Sequence, residues 1–470
     1  MERAPTSLPR PASPSHPFPK PADTFRDEEV TMELPPREVQ ITLVGGGSHN
    51  WAPKLLADLA YTKSLAGRLV LMDINPRALD LMTRLGQKVM RDLGGNFQVE
   101  GTTDLDAALV GADYVILTIN TGGYEASRQD IEIPEKYGVV QTVGDTVGPG
   151  GLIRGIRNIP VVVDLAQRME RLCPRAWLIN YSNPMAILTH AVSVATDIKV
   201  VGLCHELQGL ERTLMYILGL GERGRIKFKV GGINHFSWVL DAWLDGESIF
   251  PRLHEHAKTV RPADIAYEDF SPYGDQTVVK FSLLQTTGVL GVAGDRHIVE
   301  FYSYFVTPES QWGWKYGVKR TTPDDFEEAY RENGEWARAM LEGRAELPSR
   351  SEEIVFDLIA SIEHDLNREF FVNLPNVGQI ANLPLDRVVE TYAVANAKGL
   401  TPVALGELPP SVAPQVRLHS DIQEMIVEAT LTGDKDLARQ AFLLDPLIRD
   451  FEAGRAMFEE MCEAQGLFRR

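Results

Sequence analysis

Val39-Gln40-Ile41-Thr42-Leu43-Val44-Gly45-Gly46-Gly47-Ser48 passes from a short β-branched run straight into three glycines. Just downstream, Leu55, Leu56, Leu59 and Ala60 recur at helical spacing within 53–66. A buried strand, a glycine turn and a helix open a βαβ unit, where the turn lets backbone approach a pyrophosphate and the helix N-terminus favours the anion. The next apolar run, Leu69-Val70-Leu71-Met72, ends in Asp73. A carboxylate there holds both hydroxyls of an adenosine ribose and repels a 2′-phosphate, which favours NAD over NADP. Each piece also has a plainer reading. The glycines alone are a tight turn, with Asn50 where the usual fingerprint has its third glycine, and Asp73 alone is a cap for the helix opening at Pro76. Taken together they put NAD on Gly45, Gly47, Ser48, Asp73 and Asn75, with Asn120 lining the nicotinamide side.

Working outward, 97–101, 114–119, 177–180 and 199–203 read as further buried strands with helices between them. Such alternation predicts a parallel sheet covered on both faces. The pattern changes after about residue 205. Residues 226–244 read as a strand pair, and beyond Pro323 the chain reads as mainly helical: 326–341, 351–366, 422–431 and 437–444, resuming past Pro446 towards Phe458. The fold class expected is α/β: a Pro-rich tail over 1–36, a Rossmann-like NAD domain over 37–205, and a mixed, largely helical domain over 206–470. The second domain is expected to carry substrate, metal and oligomer contacts.

The chain has 470 residues, 44% hydrophobic and 24% charged, which excludes a wholly disordered or fibrous protein. Its net charge of -18 argues against a nucleic-acid partner, since phosphate neutralisation needs clustered Lys and Arg. No apolar run approaches the roughly 20 residues that span a bilayer. Three cysteines, Cys173, Cys204 and Cys462, are too few and too far apart for a disulfide framework, so a reducing cytoplasm is expected.

Four further stretches carry chemistry. Gly144-Asp145-Thr146-Val147-Gly148-Pro149-Gly150-Gly151, followed by Arg154 and Arg157, suits close approach to a ligand and a grip on its oxygens, or equally a solvent loop with a basic helix start. Asn180-Tyr181-Ser182-Asn183-Pro184 offers the Asn183 amide to sugar hydroxyls or to a helix cap. Cys204-His205-Glu206 and Asn234-His235 together can hold a borderline-soft divalent ion with open positions, or be a buried thiol and a satisfied histidine. Gly294-Asp295-Arg296-His297 supplies a base, an anion clamp or a structural ion pair, and Tyr273 with Asp275 is a second base region or a surface turn.

Assembled in this order, these motifs resemble the family 4 glycoside hydrolases, the NAD- and metal-dependent glycosidases, over most of the chain. The resemblance implies hydrolysis by a redox–elimination route rather than the two-carboxylate scheme. Hydride passes from sugar carbon 3 to the nicotinamide, carbon 2 loses a proton, the aglycone leaves from carbon 1, water adds, and the hydride returns. It implies a divalent metal, Mn first, on Cys204 and His235, and sugar contacts from Asn183, His205 and Glu206. Arg154 and Arg296 are extrapolated as substrate clamps and Asp145 as a further substrate contact. The carbon-2 base is assigned to Asp295, with Tyr273 behind it. A Cys-His pair resembles members acting on unphosphorylated α-glycosides. Glu206 then ranks a neutral α-glucoside or α-galactoside first and an α-galacturonide or α-glucuronide second. A homodimer or homotetramer is expected by the same analogy. The competing readings are a 2-hydroxyacid dehydrogenase of the lactate/malate type and a non-enzymatic NAD-binding protein.

Overall fold

The computed structural model describes residues 34–220 and 226–469. Residues 1–33, most of the stretch expected as a Pro-rich tail, lie outside them. Six strands form the N-terminal half: β1 (Arg37–Val44), β2 (Leu65–Met72), β3 (Phe97–Thr102), β4 (Tyr114–Leu117), β5 (Trp177–Asn180) and β6 (Lys199–Gly202). They are parallel, in the order β3-β2-β1-β4-β5-β6. This is the Rossmann order, whose crevice opens where the order reverses, beside β1. Side chains alternate along β1. Ile41 and Leu43 enter one apolar cluster and Val44 the other, while the Thr42 hydroxyl between them donates to the Ala108 carbonyl at 2.6 Å. The first helix stops at Tyr61, short of the expected 66, because Leu65 and Ala66 pair with Arg37 and Glu38 instead.

The C-terminal half is largely helical after Pro323, as expected, but it also adds strands there that the sequence reading left out. It contributes β7 (Lys227–Ile233), β8 (Phe236–Leu244), β9 (Glu247–Ser248), β10 (Leu290–Gly291), β11 (Arg368–Pro375), β12 (Val388–Asn396) and β13 (Gly399–Pro402). The helices at Pro323–Leu341, Val355–Glu363, Ala413–Thr432, Lys435–Leu443 and Phe451–Gln465 are present. The sheet runs on through β6-β11-β12-β7-β8-β10. β11 meets β6 antiparallel at Asn373 and Gly202, and β12 meets β7 at Glu390 and Gly232. Glu390 stitches this seam. Its buried carboxylate accepts from Asn234 at 3.2 Å, Asn373 at 2.9 Å and the Ser237 hydroxyl.

The C-terminal helices pack on the helices that cover the N-terminal sheet. Ile422, Ile426, Phe442, Phe458 and Met461 share a cluster with Ile153, Ile156 and Leu188, each large side chain contributing about 2–3 kcal/mol of burial. Packing and ladder thus both cross the expected boundary at 205/206. Cys173 and Cys462 lie in that same apolar cluster, where burial pushes their thiols up to about 11 and about 12. Neither forms a disulfide. No helix of the described residues is long and apolar enough to cross a membrane.

Candidate active site

The glycine turn leaves no room for side chains. A Cβ on Gly45 would stand 2.5 Å from the Thr118 carbonyl oxygen, and Gly45 itself sits at φ +92°. A Cβ on Gly47 would stand 2.8 Å from the Asp73 carboxyl carbon. The Asp73 carboxylate accepts the Gly47 N–H at 2.9 Å and the Asn75 N–H at 2.8 Å, so it braces the turn from the next strand. Ser48 accepts from Trp51 N–H at 3.2 Å, and the helix Ala52–Tyr61 has no side-chain cap of its own. The Ala52 N–H is taken by the Ser48 carbonyl, the Leu55 N–H by the Trp51 carbonyl, and Pro53 has none, so what the turn offers a pyrophosphate is room.

Two expected nucleotide contacts are engaged elsewhere. Asn75 is the cap of Pro76–Asp92, accepting from Arg77 and Ala78 N–H, a role the sequence had offered to Asp73. Asn120 donates to the Ser127 hydroxyl at 3.0 Å. The helix Pro323–Leu341 lies over the turn. Tyr330 stacks on His49 at 4.2 Å, and Asn333 donates to Asn50.

The sugar side is built from side chains. β7 and β8 are joined by a two-residue turn, Asn234-His235, with Ile233 paired to Phe236 and His235 at φ +60°. Such left-handed geometry in a non-glycine residue is held by its surroundings and clusters at working sites. Thr146 Oγ1 lies 2.8 Å from His235 Nδ1 and donates to Asp145 Oδ1 at 2.7 Å. Having given its proton to Asp145, the hydroxyl accepts from Nδ1–H, which leaves Nε2 of His235 as a lone-pair donor. His297 packs against His235 with ring centroids 4.0 Å apart, and its buried Nδ1 has no hydrogen-bond partner among the described residues. Donor atoms of Asp145, His235 and His297 all lie within 4.8 Å of one another.

Burial pushes His297 down to about 3, with His235 and Arg296 adding to the effect, so its imidazole is neutral at pH 7. Burial alone would raise Asp145, but His297, His235 and Arg154 hold it below the usual carboxylate range. Two imidazoles and a carboxylate suit Mn²⁺, Co²⁺ or Ni²⁺.

Asn183 connects this group to the cleft. Its amide donates to Asp145 Oδ2 at 2.9 Å, and its buried Oδ1 has no partner among the described residues. Its backbone carbonyl accepts Arg154 Nε at 3.1 Å, and among the described residues the Arg154 Nη atoms make no hydrogen bond. Glu206 Oε2 accepts the Gly294 N–H at 2.7 Å; burial would raise the carboxyl, but His297, His205 and His235 keep it below its ordinary range. His205 lies 3.3 Å from the buried Glu353 carboxylate, which outweighs burial and raises the imidazole.

Four expected site residues stand outside the clustered donors. Cys204 is not one of the three clustered donors: its thiol is buried among Glu390 and Glu206, and burial pushes it well up. Arg296 is tied back through one guanidinium nitrogen. Its guanidinium donates to the Pro272 carbonyl and the Thr321 hydroxyl, and lies over the Tyr273 ring at 5.3 Å. Asp295 spends both carboxylate oxygens on backbone N–H groups. Its two oxygens accept Val279 and Lys280 N–H at 2.8 and 3.0 Å, anchoring the helix Val278–Thr287. Tyr273 spends its hydroxyl on the Asp325 carbonyl and is pushed up to about 12 by burial. Asp275 instead turns Oδ2 towards Lys280 Nζ at 3.0 Å and towards Gly294, where the Glu206 carboxylate also lies. His297 was visible in the sequence only as the end of a charged cluster. Thr146 and Glu353 gave no signal.

A Rossmann-like half with an open glycine turn, meeting a buried donor group at its sugar side, defines the class. Residues 40–220 match the model of the family 4 glycosyl hydrolases, and residues 230–448 match the model of their C-terminal domain. The chain belongs to the family 4 glycosyl hydrolases and is a glycosidase. Four relatives named α-galacturonidase are 32–36% identical; that of Thermoanaerobacterium saccharolyticum is 36% identical over 448 residues, 91% of this chain and 95% of its own. An α-galactosidase of Bacillus subtilis is 34% identical over 87% of this chain and 93% of its own. A 6-phospho-α-glucosidase from gut microorganisms, in complex with NAD and Mn²⁺, superposes with TM-score 0.78 at 20% identity over 92% of this chain and 99% of its own. Membership sets aside the dehydrogenase and the non-enzymatic reading.

Proposed function

We propose that this enzyme hydrolyses unphosphorylated α-galacturonides, with NAD and Mn²⁺ as resident cofactors. The observation that carries the reading is the buried group of Asp145, His235 and His297 beside Asn183. Its donor set fits a divalent cation, and Cys204 is the further donor that the family resemblance adds. The glycine turn fits a pyrophosphate, since a Cβ at Gly45 or Gly47 would fill it. When bound, NAD takes and returns hydride and the cation polarises sugar oxygens.

This chain's own residues do the rest. Asn183 Oδ1 accepts from a sugar hydroxyl. Asp275 removes the carbon-2 proton, its charge balanced by Lys280, while Asp295 holds the helix behind it. His205, oriented by Glu353, donates to the sugar. Arg154 offers its Nη atoms to the uronic carboxylate. This reverses the order expected from Glu206 alone. Two things support the change: Gly294 already occupies one Glu206 oxygen, and the four relatives named above share the galacturonidase name. A cytoplasmic location and a homodimer or homotetramer belong to the same reading.

Matched p-nitrophenyl α-galacturonide, α-galactoside and α-glucoside test it, each assayed with and without NAD⁺, Mn²⁺ and chelator. The galacturonide should be cleaved fastest, and only with both cofactors present. Faster cleavage of either neutral sugar would overturn the substrate assignment. Cleavage surviving chelator and nucleotide removal would overturn the mechanism.

A further inference from the structure

Three successive backbone N–H groups, those of Thr142, Val143 and Gly144, point at one carboxyl. Glu300 Oε1 accepts from them at 2.7, 2.7 and 3.0 Å, and Oε2 takes a longer bond from Gly144 at 3.3 Å. Glu300 is 1% exposed and lies in the short turn Val299–Phe301, just after His297. The Thr142 hydroxyl also donates to the Arg296 carbonyl. The stretch that carries His297 therefore grips the stretch that carries Asp145 and Thr146. The far end of the gripped stretch is held too: Asp445 Oδ2 accepts the Gly148 N–H at 2.9 Å. This carboxyl is not one of the clustered donors, yet it sets the backbone directly before two site side chains. Successive N–H groups converging on an anion fix that backbone in one conformation.

We propose that Glu300 is the positioning residue of the cation seat: by gathering the N–H groups of Thr142, Val143 and Gly144 it sets Asp145 and Thr146 against His235 and Asn183. The proposal rests on reading Asp145, His235 and His297 as that seat. Outer partners of metal ligands typically govern affinity by about 10–100-fold.

The test is a Mn²⁺ titration of the full chain, without sugar, followed by the electron paramagnetic resonance signal of free Mn²⁺. Wild type, Asp145→Ala, Glu300→Ala, Glu300→Asp and Glu300→Gln are compared, with NAD⁺ affinity and circular dichroism as controls. Asp145→Ala should lose the site. Glu300→Ala should weaken Mn²⁺ about 10–100-fold while NAD⁺ affinity and helix content hold. Glu300→Asp, one methylene short of the donors, should be weakened as well. Glu300→Gln, which keeps an acceptor oxygen there, should recover most of the affinity. If Glu300→Ala does not fold, the contrast between Asp and Gln decides. Wild-type Mn²⁺ affinity in both Glu300→Ala and Glu300→Asp, with Asp145→Ala defective, overturns the proposal and leaves the seat standing. Parallel loss of Mn²⁺, NAD⁺ and helix content also overturns it. Wild-type affinity in Asp145→Ala overturns the seat and the proposal with it.

Discussion

The two ends of the cleft are built by opposite means. At the glycine turn the protein makes space by leaving side chains out, and the turn's own N–H groups are spent on holding its shape against Met72 and Asp73. At the sugar end, side chains from positions 145, 183, 235 and 297 converge and hold one another, with Thr146 joining Asp145 to His235. Backbone sites fail by crowding, and side-chain sites fail by losing a donor. The two ends should therefore be separable by mutation.

The largest separation is expected from Asp145→Ala. Loss of several kcal/mol of charge stabilisation at the seat corresponds to about 10³-fold or more in kcat. NAD⁺ affinity, measured by fluorescence titration, should stay within a small factor of wild type. A comparable fall in NAD⁺ binding would mean that the two ends are one unit. The mirror experiment is Gly47→Ala, whose Cβ meets the Asp73 carboxyl at 2.8 Å. Overpacking of about 1–3 kcal/mol predicts a loss of roughly 5- to 150-fold in NAD⁺ affinity with Mn²⁺ affinity unchanged.

A smaller effect probes the wall shared with the C-terminal half. Asp58, on the first helix, accepts from the Ser351 N–H and hydroxyl. Burial pushes its carboxyl up to about 6, above the ordinary 3.8. A raised folded-state value means that its contribution is complete below about pH 4 and is lost as pH rises through 6. Asp58→Asn imitates the protonated form. Its melting temperature should gain on that of wild type as pH rises from 4 to 7, and a pH-independent difference would remove Asp58 from the account. The smallest effect is expected from Asn75→Ala. Losing a helix cap costs about 1 kcal/mol in denaturant unfolding, with little change in NAD⁺ affinity. A large fall in that affinity would restore Asn75 to the nucleotide site.

The same contrast explains what could be read from the chain alone. The Rossmann half was legible because its strands are contiguous apolar runs and its turn is consecutive glycines. β11 and β12 were missed although Phe370-Phe371-Val372 and Val388-Val389 are strand-forming, because the helical patterns on either side set the reading of that region. Asp145, Asn183 and His235 could be named because each sits in a dense polar motif. Their mutual arrangement could not, since the Thr146 hydroxyl that fixes the His235 tautomer is an unremarkable threonine in sequence. The base assignment to Asp295 shows the limit most plainly. A carboxylate and a helix N-terminus 15 residues apart carry no mark that they will meet.

The Glu390 seam has a consequence for how the chain finds its pairing. Where β12 meets β7 and β11 meets β6, the ladders are brief, and alternation alone would tolerate a shift. Sliding β12 by one residue would turn Glu390 to the opposite face and strand the Asn234, Ser237 and Asn373 donors without an acceptor. One buried acid thus works as a key cut for a single alignment. It sets the β7–β8 turn, and with it His235, at the height where the other donors wait.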